Sequence, residues 1–97
     1  MSENHRRYHY SITCKTDDAA VLHCLRALCQ YSERHEYPQI GWGGTKENVW
    51  EANNGTFVLR FTAPAYRDQF IIEANRLLKG HWEQIETNDN DPAEPRR

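Results

Sequence analysis

The feature that most constrains this chain is the dipeptide Asn54-Gly55, which lies between two β-prone runs. A type I′ turn needs a positive φ at both central residues, and Asn-Gly supplies it more readily than other pairs. After the dipeptide, Phe57, Leu59 and Phe61 alternate with less apolar residues, as in a strand with one buried face. We therefore predict a β-hairpin whose first strand spans residues 45–52.

The register of this hairpin depends on the length of its loop. A two-residue turn places Trp50 opposite Leu59, on the apolar side of the sheet. A three-residue loop with a glycine bulge shifts the register by one residue and turns Trp50 to the other face. We favour the first register because it buries Trp50.

The rest of the chain adds two helices and two strands. Residues 7–15 alternate, with Tyr8, Tyr10, Ile12 and Cys14 on one side, and residues 17–33 carry an apolar stripe with helical spacing. A second helix begins at Thr62-Ala63-Pro64 and ends before Gly80, and a short strand follows at 81–87. In this helix we place Phe70, Ala74 and Leu77 on the inner face and Arg67 on the outer face.

Together these elements predict an α+β, ferredoxin-like βαββαβ sandwich, with two helices covering one face of an antiparallel sheet. The domain spans residues 1–87, and residues 88–97 form a disordered polar tail because they contain nothing to bury. At 97 residues the chain has room for one domain.

Composition narrows the classes of function. The net charge of −2 disfavours non-specific nucleic-acid binding, and no apolar run is long enough to cross a membrane. Without a signal peptide, three cysteines indicate a reducing, cytoplasmic setting. Cys24 and Cys29 lack the spacing of a zinc site, and no catalytic or nucleotide-binding motif is present. We therefore expect no metal, no cofactor and no enzymatic activity.

The segment from Arg34 to Gly44 is the main candidate for function. It combines Tyr37 and Trp42 with a proline and three glycines, and long connections of this kind are often functional. Either Trp42 folds back over the first helix, or the segment is an exposed recognition loop. For the second interpretation, the protein-binding residues would come from this loop, the neighbouring edge strand and the open sheet face: Arg34, His35, Tyr37, Trp42, Lys46, Glu47 and Arg60.

Two other classes of function stay open. A nucleic acid would bind the open sheet face through His9, Lys15 and Arg60, as in an RNA-recognition motif. The aromatic spacing after Phe57 departs from that motif, because the next aromatic residue comes one position late. A homodimerising structural module is the third class.

In size, in its βαββαβ layout over residues 7–87 and in its lack of motifs, the chain resembles small phage-encoded inhibitors of the anti-CRISPR type. Several of those inhibitors are ferredoxin-like sandwiches. The resemblance is one of architecture, and no signature residues carry it. It implies a non-enzymatic protein that blocks a bacterial nucleic-acid-targeting protein or ribonucleoprotein complex.

Overall fold

The structure, a computed structural model, describes residues 6–32 and 42–93. Within these ranges the chain is a small α+β fold with a four-stranded antiparallel sheet and three helices. The elements in chain order are β1 (Tyr10–Lys15), α1 (Ala19–Ser32), β2 (Trp42–Gly43), α2 (Glu47–Ala52), β3 (Thr56–Phe61), α3 (Pro64–Leu78) and β4 (Glu83–Asn88). The strands lie in the order β2-β3-β1-β4, and each neighbouring pair is antiparallel.

One face of the sheet, which we call the front, carries the core. Ile12 lies opposite Leu59 and Cys14 opposite Phe57 across the β1–β3 pair, so the apolar residues of both strands share this face. The predicted alternation is confirmed for β3, whereas in β1 Ser11 is buried as well as Ile12 and Cys14. Helices α1 and α3 contribute to the same core through Val21, Leu22, Leu25, Cys29, Phe70 and Ala74.

Both long helices begin close to the predicted positions, although α1 starts at Ala19 and not at residue 17. Asp18 precedes α1, and its Oδ1 accepts a hydrogen bond from the Ala20 N–H at 2.8 Å, which satisfies one of the first-turn donors. Pro64 occupies the first turn of α3, where its missing N–H costs nothing. Gly80 follows α3 with φ 84°, the left-handed conformation expected just after a helix.

The predicted faces of α3 are partly wrong. Leu77 is 54% exposed, whereas Arg67 is only 8% exposed. The Arg67 guanidinium lies at the ends of β1 and β4, where it donates hydrogen bonds to the Ser11 and Asn88 carbonyl oxygens at 3.3 and 3.4 Å. A long side chain buries its apolar stem while its head finds acceptors, which a helical wheel does not anticipate.

The predicted first strand of the hairpin is wrong, because most of residues 45–52 form the helix α2. Asn54 and Gly55 do have positive φ, at 58° and 83°. Here they end a helix: the Gly55 N–H donates to the Trp50 carbonyl at 2.9 Å and the Asn54 N–H donates to the Glu51 carbonyl at 3.2 Å. This pair of bonds is the Schellman motif, which needs a left-handed residue at the position of Asn54, one of the two that a type I′ turn needs.

Because α2 is a helix, neither hairpin register for Trp50 applies. Trp50 is nevertheless buried, with 5% exposure, and its Nε1 donates to the Thr16 carbonyl at 3.0 Å. Gly55 lies against the same residue: its carbonyl accepts from the Thr16 N–H at 3.0 Å, and a Cβ at position 55 would overlap the Thr16 oxygen. Thr16, which directly follows β1, therefore contacts both Trp50 within α2 and Gly55 just after that helix.

The opposite face of the sheet, the back, is covered at one end. Residues 89–93, which we call the strap, follow β4 and run alongside Tyr8 and His9, which precede β1. The Asp91 and Ala93 N–H groups donate to the His9 and Tyr8 carbonyls at 2.9 and 3.0 Å. Ala93 is 1% exposed, in contrast to the expectation that the chain has nothing to bury after residue 87. The strap extends the sheet region beyond the predicted boundary of the domain.

Candidate functional site

The C-terminal half of α1 and the strand β2 contain one predicted recognition residue, Trp42, and two residues that the sequence analysis did not single out, Arg26 and Tyr31. The guanidinium of Arg26 lies over the Trp42 ring, 4.3 Å from its centroid, which is cation–π geometry. Tyr31, near the end of α1, is 76% exposed. We use the name α1–β2 surface for the Arg26–Trp42 pair together with Tyr31, which lies further along α1. It brackets the segment 33–41.

Trp42 packs against the core with one part of its side chain and exposes the other part. It pairs with Leu59 across β2 and β3, packs against the core cluster and is half-buried. These contacts, together with the Arg26 side chain of α1, cover part of the Trp42 side chain, as the first interpretation of the sequence expects. Its Nε1 and the Arg26 Nε are buried donors without a hydrogen-bond partner. Such donors are costly to leave unpaired.

The other predicted protein-binding residues fall into two groups. Arg34, His35 and Tyr37 lie outside the described residues. Lys46 and Glu47 are exposed at the start of α2 rather than on an edge strand, and Glu47 lies 3.3 Å from the His23 ring. Residues 45–52 therefore provide no strand edge with which a partner's strand could pair.

The three residues of the nucleic-acid alternative do not form one basic patch. Arg60 is engaged by the strap, donating to the Asp91 carbonyl at 2.7 Å and to its Oδ1 at 3.2 Å. The His9 Nδ1 lies 2.7 Å from the Asp89 carbonyl oxygen. Lys15, at the other end of β1, is paired in register with Glu83, which places a carboxylate on the same part of the sheet.

The RNA-recognition interpretation also needs exposed aromatic rings on the sheet. Tyr8 and Phe57 are both 2% exposed, and Tyr10 is half-buried against the core. These rings are not available for base stacking.

A depression between the end of α1 and the start of α3 was not anticipated from the sequence. Its volume is about 500 Å³, and it is lined by Tyr31, Ser32, Ala65, Tyr66 and Gln69. Because its two sides come from positions more than thirty residues apart, no local pattern points to it. It depends on how the two helices pack.

No family model, curated protein or solved structure matches this chain. The site is therefore interpreted from its geometry. Over residues 6–32 and 42–93, no helix has the length and apolar character that crossing a membrane requires.

The three cysteines differ in burial. Cys14 and Cys29 are buried in the core, and Cys24 is exposed. Burial, with a smaller contribution from the neighbouring Cys29, raises the pKa of Cys14 far above its usual range, so this thiol stays protonated and unreactive. Within the described part of the chain, no three His, Cys, Asp or Glu side chains are grouped to hold a metal ion.

Proposed function

We propose that this chain is a non-enzymatic protein-binding domain that docks on a larger protein or ribonucleoprotein complex through the α1–β2 surface. The observation that carries the proposal is Tyr31, 76% exposed, close in sequence to the Arg26 that stacks on Trp42. Tyr, Trp and Arg dominate the binding energy of protein interfaces because they combine large apolar area with a polar group. An exposed tyrosine on the same helix as the arginine of a preformed Arg–Trp pair is a candidate anchor of this kind.

The charge of Arg26 supports the same proposal. Its guanidinium is a charged hydrogen-bond donor, and protein partners supply carboxylates and backbone carbonyls that would accept from it. The segment 33–41, which joins the two halves of the surface, carries Arg34, His35 and Tyr37. We infer that these three residues extend the contact.

The class of partner follows from the layout of the chain. The elements β1-α1-β2 and β3-α3-β4 repeat strand-helix-strand, and we interpret them as a ferredoxin-like sandwich with α2 inserted between the halves. This layout and the small size are those of the anti-CRISPR type of phage inhibitor, so we propose inhibition of a bacterial nucleic-acid-targeting complex. Fold analogy alone supports this finer step.

The test is a target-DNA cleavage assay with purified CRISPR effector complexes, with and without the chain. We expect cleavage to fall in proportion to binding of the chain to one effector. Tyr31→Ala should weaken that binding by about thirtyfold, because an interface anchor contributes about 2 kcal/mol. Gln30→Ala, also on an exposed position of α1, is the matched control and should bind as the unmodified chain does.

Three results would contradict the proposal. The first is equal binding by the Tyr31→Ala and unmodified chains. The second is a lack of binding to every effector tested. The third is tight binding to RNA or DNA that weakens steeply with salt, which would show that the chain binds nucleic acid through its phosphates. Light scattering on the free chain separates a homodimeric module from a monomer.

A further inference from the structure

Asn54 is the one asparagine of the chain that a glycine follows. The backbone nitrogen of the next residue can attack the side-chain carbonyl carbon of an asparagine, and a glycine leaves that nitrogen unshielded because it has no side chain. The Asn54 side chain is exposed, so water reaches it. The dipeptide is therefore chemically suited to deamidation, and the fold decides whether the reaction can occur.

The reaction has two steps. The Gly55 nitrogen loses its proton to water and forms a bond to the Asn54 Cγ, and the side-chain nitrogen takes up a proton and leaves as ammonia. Water then opens the resulting five-membered imide ring at either of its two carbonyl carbons. One opening gives aspartate, and the other gives isoaspartate, in which the backbone runs through the former side chain. Overall, one amide and one water become one carboxylic acid and one ammonia.

The folded chain holds the attacking nitrogen in a hydrogen bond. The Gly55 N–H donates to the Trp50 carbonyl at 2.9 Å as part of the Schellman motif, and the Gly55 carbonyl accepts from the Thr16 N–H at 3.0 Å. Gly55 is also buried against the Thr16 oxygen. An amide held in this way gives up its proton only when its hydrogen bond opens, which is the condition that also governs its hydrogen exchange. The nitrogen can therefore attack only after the C-terminal end of α2 opens.

We propose that Asn54 is a site of spontaneous deamidation, that the reaction proceeds from the state in which the end of α2 is open, and that isoaspartate at this position prevents the end from closing. Aspartate keeps the backbone unchanged and is compatible with the left-handed φ of 58°. Isoaspartate adds one carbon to the backbone before Gly55, which displaces this glycine from both Trp50 and Thr16. The inference is independent of the proposed function, because it uses no residue of the α1–β2 surface.

The experiment follows deamidation of the full folded chain at neutral pH by peptide mapping with mass spectrometry, with chromatographic separation of the aspartate and isoaspartate peptides. The chain unfolded in guanidinium chloride shows which asparagine reacts first. A synthetic peptide with the sequence of residues 51–57, in the buffer of the folded sample, gives the unprotected rate without denaturant. We expect Asn54 to react first in the unfolded chain. In the folded chain it should react at least about tenfold more slowly than in the peptide, because only the open fraction reacts.

Three variants sharpen the test. Trp50→Phe removes the indole N–H that donates to the Thr16 carbonyl. In the folded chain it should accelerate both deamidation of Asn54 and hydrogen exchange of the Gly55 amide by about fivefold, as expected for the loss of one hydrogen bond. Ile72→Ala, at an exposed position of α3, is the control and should change neither rate. Asn54→Gly keeps the positive φ without a side-chain amide, so its thermal midpoint should not fall on long incubation. The isoaspartate fraction of the unmodified chain should have a lower midpoint.

A folded chain that deamidates at Asn54 as fast as the peptide would overturn the proposal, because the fold would then not control the reaction. So would faster deamidation of another asparagine in the unfolded chain, or an isoaspartate fraction with an unchanged thermal midpoint. Faster Gly55 exchange in Trp50→Phe without faster deamidation would show that the reaction does not pass through the open end of α2. If Trp50→Phe does not fold, the comparison of the unmodified folded chain with the peptide decides.

Discussion

The front and the back of the sheet are held by different interactions. On the front, Ile12, Leu59 and Phe61 are completely buried under α1 and α3, and the contacts are apolar. On the back, the strap is held by backbone hydrogen bonds and by Arg60, whose guanidinium binds Asp91. The first set is insensitive to salt, and the second depends on charge.

This difference assigns separate roles to the two faces. The front accounts for most of the burial that makes the chain fold, because apolar area removed from water is the dominant favourable term. The back adds polar contacts whose net effect on stability is small, and it determines which part of the sheet is covered. The α1–β2 surface lies at the edge of the front, where Trp42 pairs with Leu59 and contacts Arg26, and the depression lies between the ends of α1 and α3.

The largest expected effect is on the front. Phe61→Ala should lower the free energy of unfolding by about 3–5 kcal/mol, because it leaves a cavity in a core that also contains Phe70, 5.5 Å away between ring centroids. Urea denaturation at low and high salt measures it, and the loss should be the same at both. Ile72→Ala, at a position that is 60% exposed, is the control and should change stability by less than about 0.5 kcal/mol.

The next effect concerns Arg67, which joins α3 on the front to the ends of β1 and β4. Arg67→Ala removes hydrogen bonds to the Ser11 and Asn88 carbonyls and the contact with Asp89, so we expect a loss of about 2–3 kcal/mol. Asp89→Asn should cost less than about 1 kcal/mol, since the Asp89 side chain is 71% exposed. Equal losses in the two variants would mean that the ion pair, and not the carbonyl contacts, matters.

A smaller effect is expected on the back. Asp91→Asn should weaken the contact with Arg60 and lower the free energy of unfolding by about 1 kcal/mol or less, because the Asp91 side chain is 34% exposed and screened. Hydrogen exchange of the Ala93 amide, which donates to Tyr8, should accelerate. Arg76→Ala, which breaks an exposed pair with Glu73, is the control and should leave that exchange rate unchanged. Unaltered exchange in Asp91→Asn would show that the backbone bonds hold the strap alone.

The smallest effect at neutral pH concerns the thiols. Because burial raises the pKa of Cys14 above the ordinary value of 9.0, its contribution to stability is complete below pH 9 and falls as the pH rises above that value. The difference in urea midpoint between the unmodified chain and Cys14→Ala should therefore shrink above pH 9. With a thiol reagent at neutral pH, only Cys24 should react in the folded chain. Rapid labelling of Cys14 would show that the reagent reaches the core on the front of the sheet, which would contradict the burial of this thiol.

Local patterns were sufficient for β1, α1, β3 and α3. Their apolar residues repeat with a period of two or of about 3.6, and Asp18, Pro64 and Gly80 mark helix ends through bonds that form within a few residues. The burial of Cys14 and Cys29 also follows from these periods. In each case the sequence determines the outcome because the physical cause is local.

The tertiary structure decided the rest. A type I′ hairpin turn needs positive φ at both Asn54 and Gly55, and a Schellman motif needs it at Asn54, so the dipeptide suits either structure. The contacts of Trp50 and Gly55 with Thr16, far away in the sequence, accompany the second choice. In the same way, Arg67 and Ala93 are buried because distant backbone groups meet them, and the depression beside Ser32 exists because α1 and α3 pack together. Such outcomes depend on contacts between residues far apart in the chain, which periodicity does not encode.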